Sequence, residues 1–186
     1  MTDENIYYVD TNQEYGAFLA GEHLAQSGFK KIAMIAGEPG NLLGKARKSG
    51  FLRALHKYNL EIKDQFIFHF PFRGEKNDFN SGKAIGRKLI EMSEKPEALF
   101  CYNDLTALGV QSTLINHGVR IPGDIAIMGF DDIKQSHSAP VPLSTIRQPT
   151  EKIGRIAVKK INNLIMGFDT EIQTLLEPEV VVREST

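Results

Sequence analysis

The stretch that decides the fold reads EALFCYNDLTALGVQSTLINHGVRIPGDIAIMGFDD and occupies residues 97–132. Its apolar runs at 98–102 and 124–130 predict two buried strands. The residues between them predict a helix over 104–116. Because strands that are apolar along their whole length are buried on both faces, this segment predicts a parallel sheet covered by helices.

The same alternation of strands and helices extends toward both ends of the chain. Ahead of this stretch, the sequence predicts strands at 6–9, 31–37 and 65–70, a helix capped by Asp10 and Thr11, and helices at 43–55 and 80–92. After it come an extended crossing segment, LSTIRQ at 143–148, an amphipathic helix capped by Thr150 and ended by Gly167, and a last strand at 180–182. The predicted fold class is α/β, a doubly wound parallel sheet with helices on both faces.

Charge and hydropathy argue against nucleic acid and membranes as direct partners of this chain. Its 22 basic and 23 acidic side chains give a formal net charge of -1, and neither sign forms a block of like charges. No apolar stretch approaches the roughly 20 residues that cross a bilayer, and the amino terminus lacks a basic start followed by an apolar run. We therefore expect a soluble, cytoplasmic protein.

The sequence offers no pattern for metal, cofactor or nucleotide chemistry. The single cysteine, Cys101, lies in a predicted strand, and the five histidines have no metal-binding spacing. In GEPGNLLGKA, only three residues separate Gly40 from Gly44, whereas a P-loop has four, and Ala46 stands where the magnesium-binding Ser or Thr is required. A G-x-S-x-G nucleophile elbow is missing too. We expect no cofactor, no metal and no catalysis.

Three polar residues follow predicted strands at positions where their side chains can meet. They are Arg47, on the inward face of its helix, Asn103 and Asp131. Ligands of open α/β sheets bind beyond the carboxyl ends of the strands. A guanidinium fork, an amide and a carboxylate together suit a polyhydroxylated or heteroaromatic small molecule.

Each of these residues also has a purely structural interpretation. Arg47 is costly to bury without a partner, so a structural ion pair with Asp131 would account for it as well. Asn103 stands where an ordinary helix cap would, and capping is the role we expect for Asp104 and Asp132. Spacing alone leaves both interpretations open.

Five segments of the chain, in this order and spacing, resemble the LacI/GalR family of bacterial transcriptional regulators. They are VDTNQEYGAFLAGEHLAQSGFKKIAMIAG (9–37), RKSGFLRAL (47–55), the stretch 97–132 quoted above, PLSTIRQPTEKIGRIAV (142–158) and EPEVVVREST (177–186). The resemblance implies two periplasmic-binding-protein-like lobes of type I with an effector between them. It also implies dimerisation through this core and an amino-terminal helix-turn-helix that binds operator DNA.

The resemblance assigns effector-binding roles to particular residues. Arg47 matches the arginine that grips the effector, and Asn103 and Asp131 match residues that contact it. Gln148 matches a position that lines the cleft near the crossing between the lobes. The slot of the usual aromatic wall holds Asn77 in this chain, so Phe72 or Phe79 is expected to replace that wall.

The resemblance also divides the chain. Residues 11–147 and 168–184 are expected to form the carboxyl-terminal lobe, and 1–10 and 148–167 to be remnants of the amino-terminal lobe. The helix-turn-helix is missing, so we expect the carboxyl-terminal part of a longer regulator that reaches operator DNA only through that domain. A homodimer is expected in the full protein, with the helix 104–116 as its contact.

Two further functions are compatible with the same residues. A periplasmic sugar-binding protein of a transport system has the same fold and would be secreted. A catabolite-control regulator would bind a phosphorylated carrier protein on its core. The identity of the effector, and whether it induces or corepresses, are left open by the sequence.

Overall fold

The computed structural model describes residues 6–38, 40–69 and 78–186. Its strands are β1 Tyr8–Thr11, β2 Ile32–Ala36, β3 Ile67–His69, β4 Ala98–Phe100, β5 Ala126–Met128, β6 Thr145–Arg147, β7 Gln173–Leu176 and β8 Glu179–Val181. Its α-helices are α1 Gln13–Gln26, α2 Leu42–Lys57, α3 Asp78–Glu91, α4 Asp104–Asn116, α5 Lys134–His137 and α6 Thr150–Ile165, and a short 3₁₀ helix, Asp64–Phe66, precedes β3. The predicted elements occur in the predicted order, and β7, the short helix α5 and the 3₁₀ helix are additions that the sequence pattern did not predict.

The central sheet is parallel, as predicted, with the strand order β3-β2-β4-β5. Met34 pairs with Ile67 on one side and with Phe100 on the other. Beyond β5, parallel bridges join Met128 to Ser144 and Asp131 to Arg147, and β6 pairs antiparallel with β8. The carboxyl ends of the central strands therefore lie along one edge of the sheet.

Helices cover both faces of this sheet, which confirms the predicted fold class. All five residues of β2 are buried, and alternate side chains point to opposite faces. Ile32 and Met34 join the apolar cluster that includes residues of α1 and α2, whereas Ala33 and Ile35 join the cluster that includes residues of α3 and α4. Because alternate residues of β2 point to opposite faces of the sheet, the strand contributes side chains to both hydrophobic clusters.

A smaller layer lies beside this sheet. It consists of β1 and β7, which are paired in parallel, and of α6, which packs on β1. The apolar face of α6 is largely exposed, at Val158, Ile161, Leu164 and Ile165. The range 168–184, which is predicted to lie in the carboxyl-terminal lobe, contains both β7 and β8. The strand β7 pairs with β1 in the small layer, whereas β8 pairs with β6 beside the central sheet. The predicted division of the chain into two lobes therefore stays a prediction.

The helix caps differ in part from those predicted. Asn12, rather than Asp10 or Thr11, caps α1 by accepting from the amide of Tyr15. Pro149, rather than Thr150, occupies the cap position of α6 and makes no side-chain cap bond, and Thr150 is the first residue of the helix. In the described part of the chain, no helix is long and apolar enough to span a bilayer.

Asp104 and Asp132, expected as caps, anchor the chain after β5 instead. Asp104 is buried and accepts hydrogen bonds from the hydroxyls of Ser136 and Thr145 and from the amide of Ile133. Burial raises the pKa of Asp104. Asp132 forms ion pairs with arginines of β6 and of the carboxyl-terminal segment, Arg147 and Arg183. Both carboxylates thus fix the loop that carries Asp131.

Candidate functional site

Arg47 lies at the centre of the carboxyl edge of the sheet, on the second turn of α2. It is only 3% exposed, and its guanidinium carbon stands 3.6 Å from the ring centroid of Phe130 and 4.9 Å from that of Tyr102. Burial lowers the pKa of Arg47, and the nearby Asp131 partly offsets that effect. Since arginine stays protonated in proteins, the site holds a fixed positive charge between two rings.

The donors of Arg47 have defined partners. Nε and Nη2 donate to Oε1 of Gln13 at 3.0 and 2.8 Å. Nη1 donates to the carbonyl oxygen of Tyr102, and Nη2 also lies 3.4 Å from Oδ1 of Asp131. The guanidinium is therefore held in one orientation by α1, by the end of β4 and by the loop after β5.

Asp131 adopts an unusual backbone conformation directly after Phe130. Its φ of 123° lies in the region that L-residues rarely occupy, so the surrounding structure must hold it there. Its Oδ1 accepts from Nε2 of Gln148 at 2.7 Å, and the side chain is 30% exposed. Burial raises the pKa of Asp131, while Arg47 and Gln148 oppose that rise. The carboxylate is thus aimed at the edge of the site with an acceptor still in reach of solvent.

Four side chains close a hydrogen-bonded ring, which we call the Arg47 ring: Gln13, Arg47, Asp131 and Gln148. The last link runs from Nε2 of Gln13 to Oε1 of Gln148 at 3.1 Å. Gln13 directly follows the connection from β1 to α1, and Gln148 lies in the connection from β6 to α6. The ring therefore joins the site to two of the connections between the central sheet and the small layer.

Asn103 caps α4 and also reaches another helix. Its Oδ1 accepts from the amide and the hydroxyl of Thr106, and its Nδ2 donates to Asp78 at 2.5 Å. The structural interpretation of Asn103 as a cap is confirmed. Its amide also links the amino ends of α3 and α4 at the edge of the site.

Tyr102, like Gln13, is a residue of this site that the sequence interpretation missed. Its half-buried ring stands over Gly37, where a Cβ atom would lie 2.7 Å from the ring. Its hydroxyl accepts from Nδ2 of Asn41 at 3.4 Å, and burial raises the pKa of Tyr102. The sequence signals Tyr102 as an aromatic residue directly before Asn103, but the predicted strand 98–102 includes it as a strand residue.

Of the two expected aromatic residues, Phe79 lies in the described part of the chain, and its surroundings differ from those of Arg47. Phe79 lines a separate surface cavity of about 380 Å³ together with α4 and the residues after α5, and the lining of that cavity includes none of Arg47, Asn103 and Asp131. Phe72 and Asn77 lie outside the described residues. The binding role of Phe79 stays a prediction without a contact that supports it.

A second cavity, of about 690 Å³, opens beside the Arg47 ring. Gln13 and Asn41 line it together with residues of β1 and the first turn of α2. Across residues 6–38, 40–69 and 78–186, no three His, Cys, Asp or Glu side chains are grouped so that they could hold a metal ion. The site can thus offer charge, hydrogen bonds and an aromatic face to a small organic molecule.

The family of the chain follows from a match to the periplasmic binding protein-like domain, which covers residues 22–186. The chain belongs to this family. Among the relatives, the HTH-type transcriptional repressor PurR of Aliivibrio salmonicida is 37% identical over 175 residues, which are 94% of this chain and 51% of that protein. The chain spans about half the length of the curated relatives it matches.

Solved structures of transcriptional regulators superpose on this chain. A LacI-family regulatory protein from Chloroflexus aggregans superposes with a TM-score of 0.90 at 30% identity, covering 100% of this chain and 65% of that one. The transcriptional regulator CelR in complex with cellobiose superposes with a TM-score of 0.88 at 30% identity, covering 100% and 56%. The resemblance to LacI-type regulators is thereby confirmed, and this chain corresponds to their effector-binding core.

Proposed function

We propose that the chain is the effector-sensing part of a cytoplasmic LacI/GalR-type transcriptional regulator and that it catalyses no reaction. The observation that carries the proposal is the Arg47 ring, in which the predicted residues Arg47, Asp131 and Gln148 meet at the carboxyl edge of the sheet. Family membership and the regulators among the relatives support this function. Asn103, at the same edge, is proposed as a further contact of the effector.

The effector is proposed to be a sugar or a related small metabolite. Hydroxyl groups can donate to the carboxylate of Asp131 and accept from amide and guanidinium donors, so one ring of hydroxyls can satisfy both kinds of partner. The ring of Tyr102 adds an apolar face of the kind that packs against a sugar ring. The cellobiose bound to CelR supports this choice of ligand class.

The regulatory mechanism requires only a difference in affinity. An effector that binds more tightly to one relative arrangement of two lobes shifts the protein toward that arrangement, and operator affinity shifts with it. Residues 1–10 and 148–167 are proposed to belong to the second lobe, and a helix-turn-helix outside this chain to contact DNA. The exposed apolar face of α6 supports this division, because a second lobe would cover it.

A homodimer through α4 is proposed for the full protein. Leu105, Leu108, Ser112 and Ile115 follow at three- and four-residue steps, and Leu105 and Ile115 are exposed. The cavity next to this stripe could receive a side chain from a second copy. Sedimentation velocity tests this contact: Ile115→Glu should shift a dimer toward monomer, whereas Leu42→Glu, on α2, should not.

Ligand binding is tested by thermal shift and calorimetry against sugars, sugar phosphates and nucleobases at millimolar concentration. A compound at about 100 times its Kd stabilises the folded chain by about 2.7 kcal/mol, which raises the midpoint by a few degrees. Arg47→Lys keeps the charge but loses the planar fork, so its shift should vanish. Arg53→Lys, a matched change at an exposed site of the same helix, should keep it.

Two results would contradict the proposal. A compound that stabilises Arg47→Lys as strongly as the unmodified chain would remove Arg47 from the site. If no compound stabilised or bound the unmodified chain, the result would argue against a small-molecule effector and in favour of a protein partner on the core.

A further inference from the structure

The side chain of Gln13 occupies a particular edge of Arg47. Its Oε1 receives hydrogen bonds from both Nε and Nη2, at 3.0 and 2.8 Å. These two donors form one of the parallel pairs with which a guanidinium binds both oxygens of a carboxylate or phosphate. A ligand that used this edge would have to displace Gln13.

Gln13 is held at this edge by other contacts. Its Nε2 donates to Gln148 at 3.1 Å and lies 3.4 Å from Oδ1 of Asp10. It is the first residue of α1, directly after the cap Asn12, so its backbone position is fixed by the start of the helix. Displacing its side chain would therefore break several hydrogen bonds at once.

The bonds of Nη1 and Nη2 use all but one of the remaining N–H groups of Arg47, and the group left over is on Nη1. Nη1 donates to the carbonyl of Tyr102, and Nη2 is shared with Asp131. A neutral hydroxyl needs only one donor and can be accepted beside these bonds, whereas a carboxylate gains most from the parallel pair that Gln13 covers.

The charges around Arg47 also disfavour an anionic ligand. Asp131 lies 3.4 Å from Nη2 of Arg47, and Asp10, which is 3.4 Å from Nε2 of Gln13, is close enough for its charge to act on the same guanidinium. Asp78 adds a third carboxylate, bonded to Asn103 at the edge of the site. An anionic ligand would meet this negative surplus without a free bidentate partner.

We infer that Gln13 determines ligand specificity: by covering the Nε and Nη2 edge of Arg47, it restricts the site to uncharged, hydroxylated ligands and excludes their carboxylate counterparts. This inference rests on the proposed function, because it concerns the same site. It assigns to Gln13 a role that no part of the sequence interpretation gave it.

The test uses matched neutral and acidic probes with one skeleton each: D-glucose with D-glucuronate, and D-galactose with D-galacturonate. Calorimetry measures their affinities for the unmodified chain, Gln13→Ala and Gln13→Met, the last of which keeps the side-chain length without the amide. We expect the neutral partner to bind at least about tenfold more tightly to the unmodified chain, and that ratio to fall by about tenfold in both variants.

Gln13→Glu provides the opposite change. Its carboxylate would pair with Arg47 at the same edge, so acidic probes should bind still more weakly than they do to the unmodified chain. Equal affinity of the unmodified chain for an acid and its neutral partner would overturn the inference. So would a ratio that stays the same in Gln13→Ala and Gln13→Met.

A second measurement needs no ligand. In a ¹⁵N NMR spectrum, the Nε proton of Arg47 should exchange slowly with water in the unmodified chain and much faster in Gln13→Ala, and fast exchange in both would overturn the inference. If only nucleobases stabilise the chain, the proposed function holds but the hydroxylated ligand class is wrong. If no compound binds, the proposed function fails, and the NMR result still decides whether Gln13 covers Arg47.

Discussion

The side-chain nitrogen of Asn103 lies 2.5 Å from a carboxylate oxygen of Asp78, while its oxygen caps α4. One amide therefore joins two helix starts that are 25 positions apart in the chain. Substitution of Asn103 can distinguish the contribution of the cap bond from that of the bond to Asp78.

Asn103→Ala should destabilise the fold by about 1 kcal/mol, because the amide of Thr106 loses its cap acceptor. Urea unfolding measures this change. Asn103→Ser is the control, since serine keeps a cap acceptor but cannot reach Asp78. Equal destabilisation by both substitutions would show that the bond to Asp78, rather than the cap, supplies the stability.

The ring of Tyr102 is predicted to contribute to ligand binding in the proposed site. Tyr102→Leu removes the aromatic face, and the affinity for the best-binding sugar should fall by about two- to tenfold, as expected for a lost ring contact. Tyr102→Phe loses only the hydroxyl that accepts from Asn41 and should bind almost normally. Calorimetry that found equal affinities for the two variants would exclude a role of the ring.

A pair of glycines in helices should respond oppositely to alanine. A Cβ atom at Gly50 would overlap the carbonyl of Glu14 where α1 and α2 cross, so Gly50→Ala should destabilise the fold by about 1–3 kcal/mol. Gly154, in α6, has open space around it, and Gly154→Ala should stabilise by about 0.5–1 kcal/mol through the lower backbone entropy of the unfolded chain. Thermal unfolding of both variants checks the signs, and destabilisation by Gly154→Ala would contradict the exposed environment of this glycine.

The stability contributed by Asp124 should depend on acid pH. The guanidinium of Arg120 holds the pKa of Asp124 at about 2, below the ordinary 3.8. A depressed pKa in the folded state adds stability above the unfolded pKa, and that stability is lost as the pH falls through the folded value. The difference in unfolding free energy between the unmodified chain and Asp124→Asn should therefore shrink from about pH 4 to about pH 2.

This difference has to be measured against the variant rather than read from the pH profile of the unmodified chain alone. Burial raises the pKa of Asp104 and of Asp131, and a raised pKa makes the folded state relatively more stable as these groups become protonated. Their contribution opposes that of Asp124. A difference that stayed constant with pH would show that Arg120 does not stabilise the ionised form of Asp124.

The sheet was predictable because its signal is local. Strands such as 32–36 are apolar at every position, and a strand of that kind has few places in a folded protein other than the middle of a covered sheet. The strand β7 was missed because its residues are mixed in polarity and only Leu176 is buried. Its pairing with β1 depends on residues at the other end of the chain.

The site was predictable only in part, for a related reason. Arg47 and Asp131 are charged residues at positions where the pattern predicts burial. Because a buried charge is costly without a partner, the sequence predicts that these two side chains lie near each other. Gln13 looked like an ordinary polar residue in the first turn of a helix. Its contact with Arg47, 34 positions later, arises from how α1 packs on α2, which residue types alone do not reveal.

The pairing of Tyr8 with Gln173 also sets an order for folding during synthesis. The central strands β2 to β5 are complete once residue 128 has left the ribosome, whereas β1 must wait for a partner made 165 positions after it. Contacts between such distant segments form late, because the intervening chain must first be ordered. Within this chain, the pairing of β1 with β7 is therefore expected to form later than the pairings among the strands of the central sheet.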